Sequence, residues 1–366
     1  MKIIFYLENL RSGGVQKRTM RLIDGIKKNS PRDLEIILLV NFSKGEHFID
    51  IPDGVALHVM GDLKGLRLAY YLRNFANIHR PDVVVFCMGR QFLQWLFACI
   101  FIKFSVKTIL IQAVPAILSA YSNLKNKIRI NMMRFFYPKA SIIVCVSDAV
   151  KESLQSLSLK LLTKTIRIYN PVFDDSMIKL ANKENNPYSK FSGINAVAVG
   201  RLSIQKDYKT MISAVKKIVR KEPDFFLHIL GDGELFSELT LLVNELELEN
   251  HIIFHGYIAN PYPYLMHSDL FLMSSLWEGL PNAMVEALAL GTQVVSTDCI
   301  AGPNEILDQG QYGTLVPTKD IHQFSQAILS ELSLERSKIS LVERGRSFSV
   351  DNSAKAYIKL LRSLVE

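Results

Sequence analysis

Two glutamates, Glu278 and Glu286, stand eight residues apart in SSLWEGLPNAMVEALALG. Two cations, Arg201 and Lys206, stand five apart in GRLSIQKD. Carboxylates accept hydrogen bonds from hydroxyls. A guanidinium fork and an ammonium point charge suit phosphate oxygens. Together these side chains fit a ligand that carries both hydroxyls and phosphates, which describes a nucleotide-sugar. Between the glutamates, Gly279-Leu280-Pro281-Asn282 reads as a loop that turns into a helix. The start of a helix offers unpaired N–H groups and a partial positive charge, a ready phosphate site.

The flanking segments position these groups. DLFLMSS reads as a buried strand with a small polar end, and TQVVSTD as the next strand. The glutamates therefore fall at the carboxyl end of a strand, where open α/β sheets bind their ligands. Arg201 and Lys206 follow INAVAVG, another apolar strand. A solvated loop explains the two cations equally well when they are taken alone. Arg11-Ser12-Gly13-Gly14-Val15 follows the first strand, MKIIFYL, and opens a helix. Paired glycines let backbone approach a ligand, although a tight turn needs them too. The third glycine of a dinucleotide fingerprint is missing.

Other candidates carry less. Gly231-Asp232-Gly233-Glu234 and Asp174-Asp175 read as turns, because no carboxylate cluster has metal-ligand spacing. His255 reads as a strand-end residue, and Glu305 as an acid at a helix start. No H-E-x-x-H, H-x-E or G-x-S-x-G pattern supports zinc hydrolysis or a serine nucleophile. We expect no catalytic metal and no cofactor.

Apolar strands alternate with helical segments along the whole chain, a pattern of parallel sheets with helices on both faces. The 366 residues suffice for two domains. We expect an α/β fold of two Rossmann-like doubly wound domains facing a central cleft, spanning 1–175 and 176–349. A final helix at about 350–366 can pack back on the first. The polar segment 181–193 reads as a linker or surface loop between domains.

Four widely spaced cysteines fit a reducing compartment. The charged residues Glu8 and Arg11 interrupt the amino-terminal apolar run too early for a secretory signal. The longest apolar run, Phe92 to Ile102, is too short to span a bilayer and reads as a buried or an interfacial helix. Charge is unevenly shared. Residues 1–170 carry 25 Lys and Arg against 11 Asp and Glu, whereas the remainder is net acidic. An anionic partner of the first half is implied, nucleic acid or lipid. Within KNKIRINMMRFFYPK, the cations Lys125, Lys127, Arg129 and Arg134 alternate with apolar residues as in a helix lying on an anionic membrane. Its aromatics are not interleaved as a stacking platform, which disfavours nucleic acid.

SGGVQKR, VGRLSIQKD, LHILGDGEL and the stretch from FHGYIANPYPYL to TQVVSTD together resemble the retaining glycosyltransferases of family 4, which have the GT-B fold. Glu278 and Glu286 match that family's E-x7-E motif. The resemblance implies that Glu286 binds the donor ribose and Glu278 the transferred sugar. Arg201 and Lys206 then hold the diphosphate and stabilise it as it leaves. Gly279, Leu280 and Asn282 line the donor, Gly13 and Gly14 approach its phosphates, and the backbone at Tyr257 and Ile258 meets the base. It implies a metal-independent enzyme and, by way of UDP-linked hexose or N-acetylhexosamine donors, synthesis of lipopolysaccharide, O-antigen or capsule. The acceptor would be lipid-linked, and the enzyme peripheral on the cytoplasmic face of the inner membrane. Many members carry a histidine where this chain has Gln112, which can bond a sugar but cannot take a proton. A nucleotide-sugar epimerase or phosphorylase of the same fold lacks supporting residues. A non-catalytic partner subunit is disfavoured by the intact charged set.

Overall fold

The computed structural model describes residues 1–11, 13–30, 34–42, 51–99, 105–115, 124–334 and 336–366. The side chains of Cys99 and Lys125, residue Ser12 of the glycine loop and residues 100–102 of the long apolar run lie outside the described set. The chain divides into two units, Met1–Pro171 with Val350–Glu366, and Val172–Ser349. Each is a parallel sheet with helices, so the mixed α/β class and the two Rossmann-like domains are as expected.

The first unit contains strands β1 (Lys2–Asn9), β2 (Glu35–Phe42), β3 (Ala56–Val59), β4 (Val83–Phe86), β5 (Lys107–Gln112), β6 (Ile142–Cys145) and β7 (Thr165–Arg167). Their order is β3-β2-β1-β4-β5-β6-β7, and every pairing is parallel. Helices α1 (Gly14–Asn29), α2 (Gly65–His79), α3 (Gly89–Cys99), α4 (Leu124–Phe136) and α5 (Asp148–Gln155) connect them. Central strands are continuous apolar runs because both faces are covered: Ile3, Ile4 and Phe5 of β1 and Val83, Val84 and Val85 of β4 are fully buried.

The second unit contains β8 (Ile194–Val199), β9 (Phe225–Leu230), β10 (Ile252–Gly256), β11 (Leu270–Met273), β12 (Gln293–Thr297) and β13 (Thr314–Val316), in the order β10-β9-β8-β11-β12-β13. Its helices are α6 (Asp175–Ala181), α7 (Tyr208–Ile218), α8 (Phe236–Glu245), α9 (Tyr262–His267), α10 (Asn282–Ala289), α11 (Pro303–Ile306), α12 (Ile321–Leu332) and α13 (Lys338–Arg346). Side chains cap several of them. Asp174 accepts from the Ser176 N–H at α6, and Asp320 from the Gln323 N–H at α12.

The last helix, α14 (Val350–Val365), packs on α1 in the first unit. Gly25 permits the approach, because a methyl there would stand 2.6 Å from Val350 Cγ1. Of the two readings of the segment 181–193, a linker or a surface loop, the structure shows the loop. It is a loop inside the second unit, pinned by Tyr188, which is buried and donates its hydroxyl to the Tyr264 carbonyl at 2.9 Å. The apolar run in α3 is buried along Phe92, Trp95 and Ala98, while Phe97 is exposed. Among the described residues no helix is long and apolar enough to cross a membrane.

Candidate functional site

In the second sheet the strand order reverses between β8 and β11, which pair directly through Leu270 with Ala196 and Phe271 with Val197. Loops leaving two adjacent strands on either side of such a switch point diverge, and ligands bind in the gap outside the carboxyl ends. The loop after β8 carries Arg201 and Lys206, and the loop after β11 carries Glu278. Topology thus brings together Lys206 and Glu278, which lie 72 positions apart.

The Lys206 ammonium donates to Glu278 Oε1 at 2.7 Å. Ser275 donates its hydroxyl to the same oxygen at 2.8 Å. Both partners are substantially shielded, with side-chain exposures of 20% and 9%. The loop itself is tied down by its neighbours. Gln205 donates from Nε2 to the Trp277 carbonyl and accepts from the Leu276 N–H, each at 2.8 Å. Asp207 sits in the left-handed region with φ 45°, at the corner between the short 3-10 turn holding Lys206 and helix α7. Burial pushes its carboxyl above the usual range, although Thr210 offsets this by hydrogen bonding.

Glycines set the spacing around this corner. Gly231, at φ 150°, lies against the Gly200 carbonyl so closely that no Cβ fits. A Cβ at Gly200 itself would stand 3.0 Å from the Lys206 Cε. Gly302, at φ 97°, backs the second loop, where a Cβ would stand 2.5 Å from the Pro281 ring.

Helix α10 begins at Asn282 behind Pro281. The N–H groups of Gly279 and Leu280 make no hydrogen bond within the described residues. They stand just ahead of the helix, where its dipole favours an anion. Asn282 is half-buried. Glu286 lies one turn into α10 and is 8% exposed. Arg201 is exposed and its side chain has no partner among the described residues, so it is available to a ligand.

Tyr257 and Ile258 follow β10, after Gly256 at φ 66°. Tyr257 is exposed and Ile258 is half-buried. Gly256 accepts from the Gly231 N–H at 2.7 Å, which ties this segment to the β9 turn. Asp232 in that turn accepts from the Gly233 N–H, an ordinary turn bond. Among the described residues no three His, Cys, Asp or Glu side chains gather as a metal site.

In the first unit, Gly13 caps α1 in an extended conformation and Gly14 is its first residue. Gln112 ends β5, is buried, and spends its amide N–H on the Val114 carbonyl at 2.5 Å. On α4, Arg129 is held by Asn126 and Arg134 donates to the Leu157 carbonyl at 3.0 Å. Lys127 is exposed.

Sequence reasoning passed over Ser274, Ser275, Gln205 and Thr297, which hold the charged pair in place. The small polar end of DLFLMSS was the one local signal for the serines.

His228 and His255 form a second polar cluster. The Asn195 amide donates from Nδ2 to the Gly193 carbonyl, so its Oδ1 accepts from His228 Nε2–H at 3.1 Å. His228 Nδ1 must then accept, 3.0 Å from His255 Nε2. Burial, then His255, holds the His228 imidazole down at about 4.

Residues 189–348 match the family model described as glycosyl transferases group 1. The chain is 40% identical over 190 residues to an uncharacterized glycosyltransferase of Methanocaldococcus jannaschii, covering 50% of this chain and 46% of that one. It is 29% identical over 219 residues to N-acetylgalactosamine-N,N'-diacetylbacillosaminyl-diphospho-undecaprenol 4-alpha-N-acetylgalactosaminyltransferase of Campylobacter jejuni, covering 60% and 58%. The match thus spans about half the length of these curated relatives. In structure, the Anabaena protein HepE, solved with UDP and glucose, superposes at a TM-score of 0.81 with 16% identity, covering 99% of this chain and all of that one. Residues 189–348, the stretch that builds the site, are therefore similar to the glycosyl transferases group 1, in a chain with the GT-B type of fold.

Proposed function

We propose that this chain is a retaining glycosyltransferase. It moves a hexose or N-acetylhexosamine from a nucleotide diphosphate sugar, a UDP-sugar, to a lipid-linked glycan acceptor in surface-polysaccharide synthesis. The observation that carries this reading is the Lys206–Glu278 pair, set at the switch point of a stretch that matches the group 1 glycosyl transferase model, with Glu278 immediately before Gly279 and Leu280, whose N–H groups make no hydrogen bond within the described residues. A sugar hydroxyl donates to Glu278, and the ribose hydroxyls donate to Glu286. Arg201, Lys206 and the two N–H groups meet the diphosphate.

The leaving group gains negative charge as the glycosidic bond breaks. Preorganised cations and N–H donors aimed at that charge lower the barrier, and one such donor typically supplies about 3 kcal/mol. In this reading the two cations and the helix start neutralise the leaving group without a metal ion. The names of relatives support the acceptor class, since the Campylobacter enzyme is named for a diphospho-undecaprenol substrate.

The membrane side of the proposal rests on α4. Ile128, Met132 and Phe135 recur at helical spacing and are exposed, with Phe135 at 67%. Lys127 is exposed on the same helix, and Lys139 lies over the Phe135 and Phe136 rings at 5.5 and 5.4 Å. Such a surface suits the inner face of the plasma membrane, with the protein cytoplasmic and peripheral. The net positive charge of residues 1–170 adds long-range attraction.

The test is thermal. UDP in the presence of EDTA should raise the melting temperature, and Glu286→Ala should remove that rise. A wild-type shift that survives in Glu286→Ala would defeat the ribose assignment, and a wild type that ignores UDP would defeat the donor reading.

A further inference from the structure

The end of β11 carries two serines with no role in the proposal above. Ser274 is 1% exposed and Ser275 is fully buried. Ser274 Oγ lies 2.9 Å from both the Lys206 and the Asp207 carbonyls, so its hydroxyl is shared between them. It clamps the backbone corner from which the Lys206 side chain departs. Ser275 Oγ donates to Glu278 Oε1, and Thr297 at the end of β12 donates to the Ser275 carbonyl at 2.7 Å. The Lys206 turn after β8 and the ends of β11 and β12 are thereby joined by hydroxyl bonds.

One consequence follows for Glu278. Oε1 receives both the Lys206 ammonium and the Ser275 hydroxyl. Oε2 takes no hydrogen bond from the described residues. A carboxylate held twice at one oxygen cannot rotate freely, and it presents the other oxygen in a fixed direction. We infer that Ser275 is a positioning residue that selects Glu278 Oε2 as the acceptor for the donor sugar's hydroxyl, while Ser274 fixes the origin of Lys206. This rests on the donor reading above. Ser275 touches no ligand and acts through Glu278.

Its signature is selective. Glu278 meets only the sugar, so loss of the Ser275 hydroxyl weakens a UDP-sugar and spares UDP. The experiment titrates UDP, UDP-glucose, UDP-galactose and UDP-N-acetylglucosamine into wild type, Ser275→Ala and Ser275→Thr by calorimetry. For the best-bound sugar nucleotide, its affinity relative to UDP should fall about tenfold in Ser275→Ala, the scale of one hydrogen bond to a charged group. UDP affinity should stay within about twofold, since losing that bond is the whole effect. Ser275→Thr keeps the hydroxyl and should restore the ratio. If its extra methyl lowers the melting temperature, the alanine ratio alone decides. Equal weakening of UDP and UDP-sugar would mark Ser275 as structural and overturn the inference. An unchanged ratio in Ser275→Ala would overturn it as well. A wild type that binds none of the nucleotides would instead overturn the donor reading, so the two failures are distinct.

Discussion

The Lys206 ammonium lies 2.7 Å from the Glu278 carboxylate although the two residues are 72 positions apart in sequence. Neither side chain is well solvated, and removing one leaves the other as a poorly compensated charge. The pair also prepares the site, since the cation that would meet the diphosphate is held beside the acid that would meet the sugar. Lys206→Ala should therefore lower kcat by about 100-fold or more, as loss of one preorganised donor does. Steady-state UDP release by wild type and variant checks this. A variant that keeps most of its kcat would remove Lys206 from the leaving-group role.

The glycine corner predicts a structural cost without any ligand. Gly231 combines φ 150° with contact to the Gly200 carbonyl. Gly231→Ala forces both a strained backbone and an overlap, and should cost about 3 kcal/mol or more. Urea unfolding of the two proteins measures it. A variant as stable as wild type would mean that the β8 and β9 turns are not packed as described.

Much of this was legible in the sequence, for particular reasons. The apolar runs of β1, β4 and β11 are uninterrupted, and that of β8 is broken only by Asn195, because parallel strands are covered on both faces, so the sheets could be read residue by residue. Glu278 and Lys206 could be named as charged residues at strand ends. Their pairing could not, because it depends on β8 and β11 being neighbours, and strand order is not a local property. Ser275 was invisible for the same reason: a serine at a strand end is ordinary until its hydroxyl is seen on Glu278 Oε1. The segment 181–193 stayed open between a linker and a surface loop, because its polar composition is shared by both. The burial of Tyr188 decides between them.

The histidine pair predicts a pH dependence of stability. The folded His228 imidazole titrates at about 4, whereas an unfolded histidine does so near 6.5. Burial also lowers His255. The folded state therefore binds fewer protons than the unfolded chain between these values. Its contribution is fully present above about pH 6.5 and is lost as pH falls toward 4, by roughly 2 kcal/mol. Urea unfolding at pH 7 and pH 4.5 should show the fall, and His228→Gln should flatten it. The same slope in the variant would place the pH sensitivity elsewhere.

Membrane docking predicts a dependence on salt and on two kinds of side chain. Binding to vesicles containing anionic lipid should weaken as salt rises, because Lys127 and Lys139 act through a screened field. Lys127→Glu should weaken it further, and Phe135→Ser should reduce binding even at low salt by removing an exposed ring. Co-sedimentation with neutral and anionic vesicles checks both. Binding that ignores salt, or that survives Phe135→Ser unchanged, would count against α4 as the contact.

The central claim is tested most directly by a crystal structure of the chain soaked with its best-bound UDP-sugar. The account predicts a sugar hydroxyl within hydrogen-bond distance of Glu278 Oε2 and ribose hydroxyls on Glu286. Diphosphate oxygens should meet Lys206 Nζ, Arg201 and the Gly279 and Leu280 N–H groups. A sugar nucleotide bound away from the start of α10, or bound there with its diphosphate out of reach of Lys206, would contradict it.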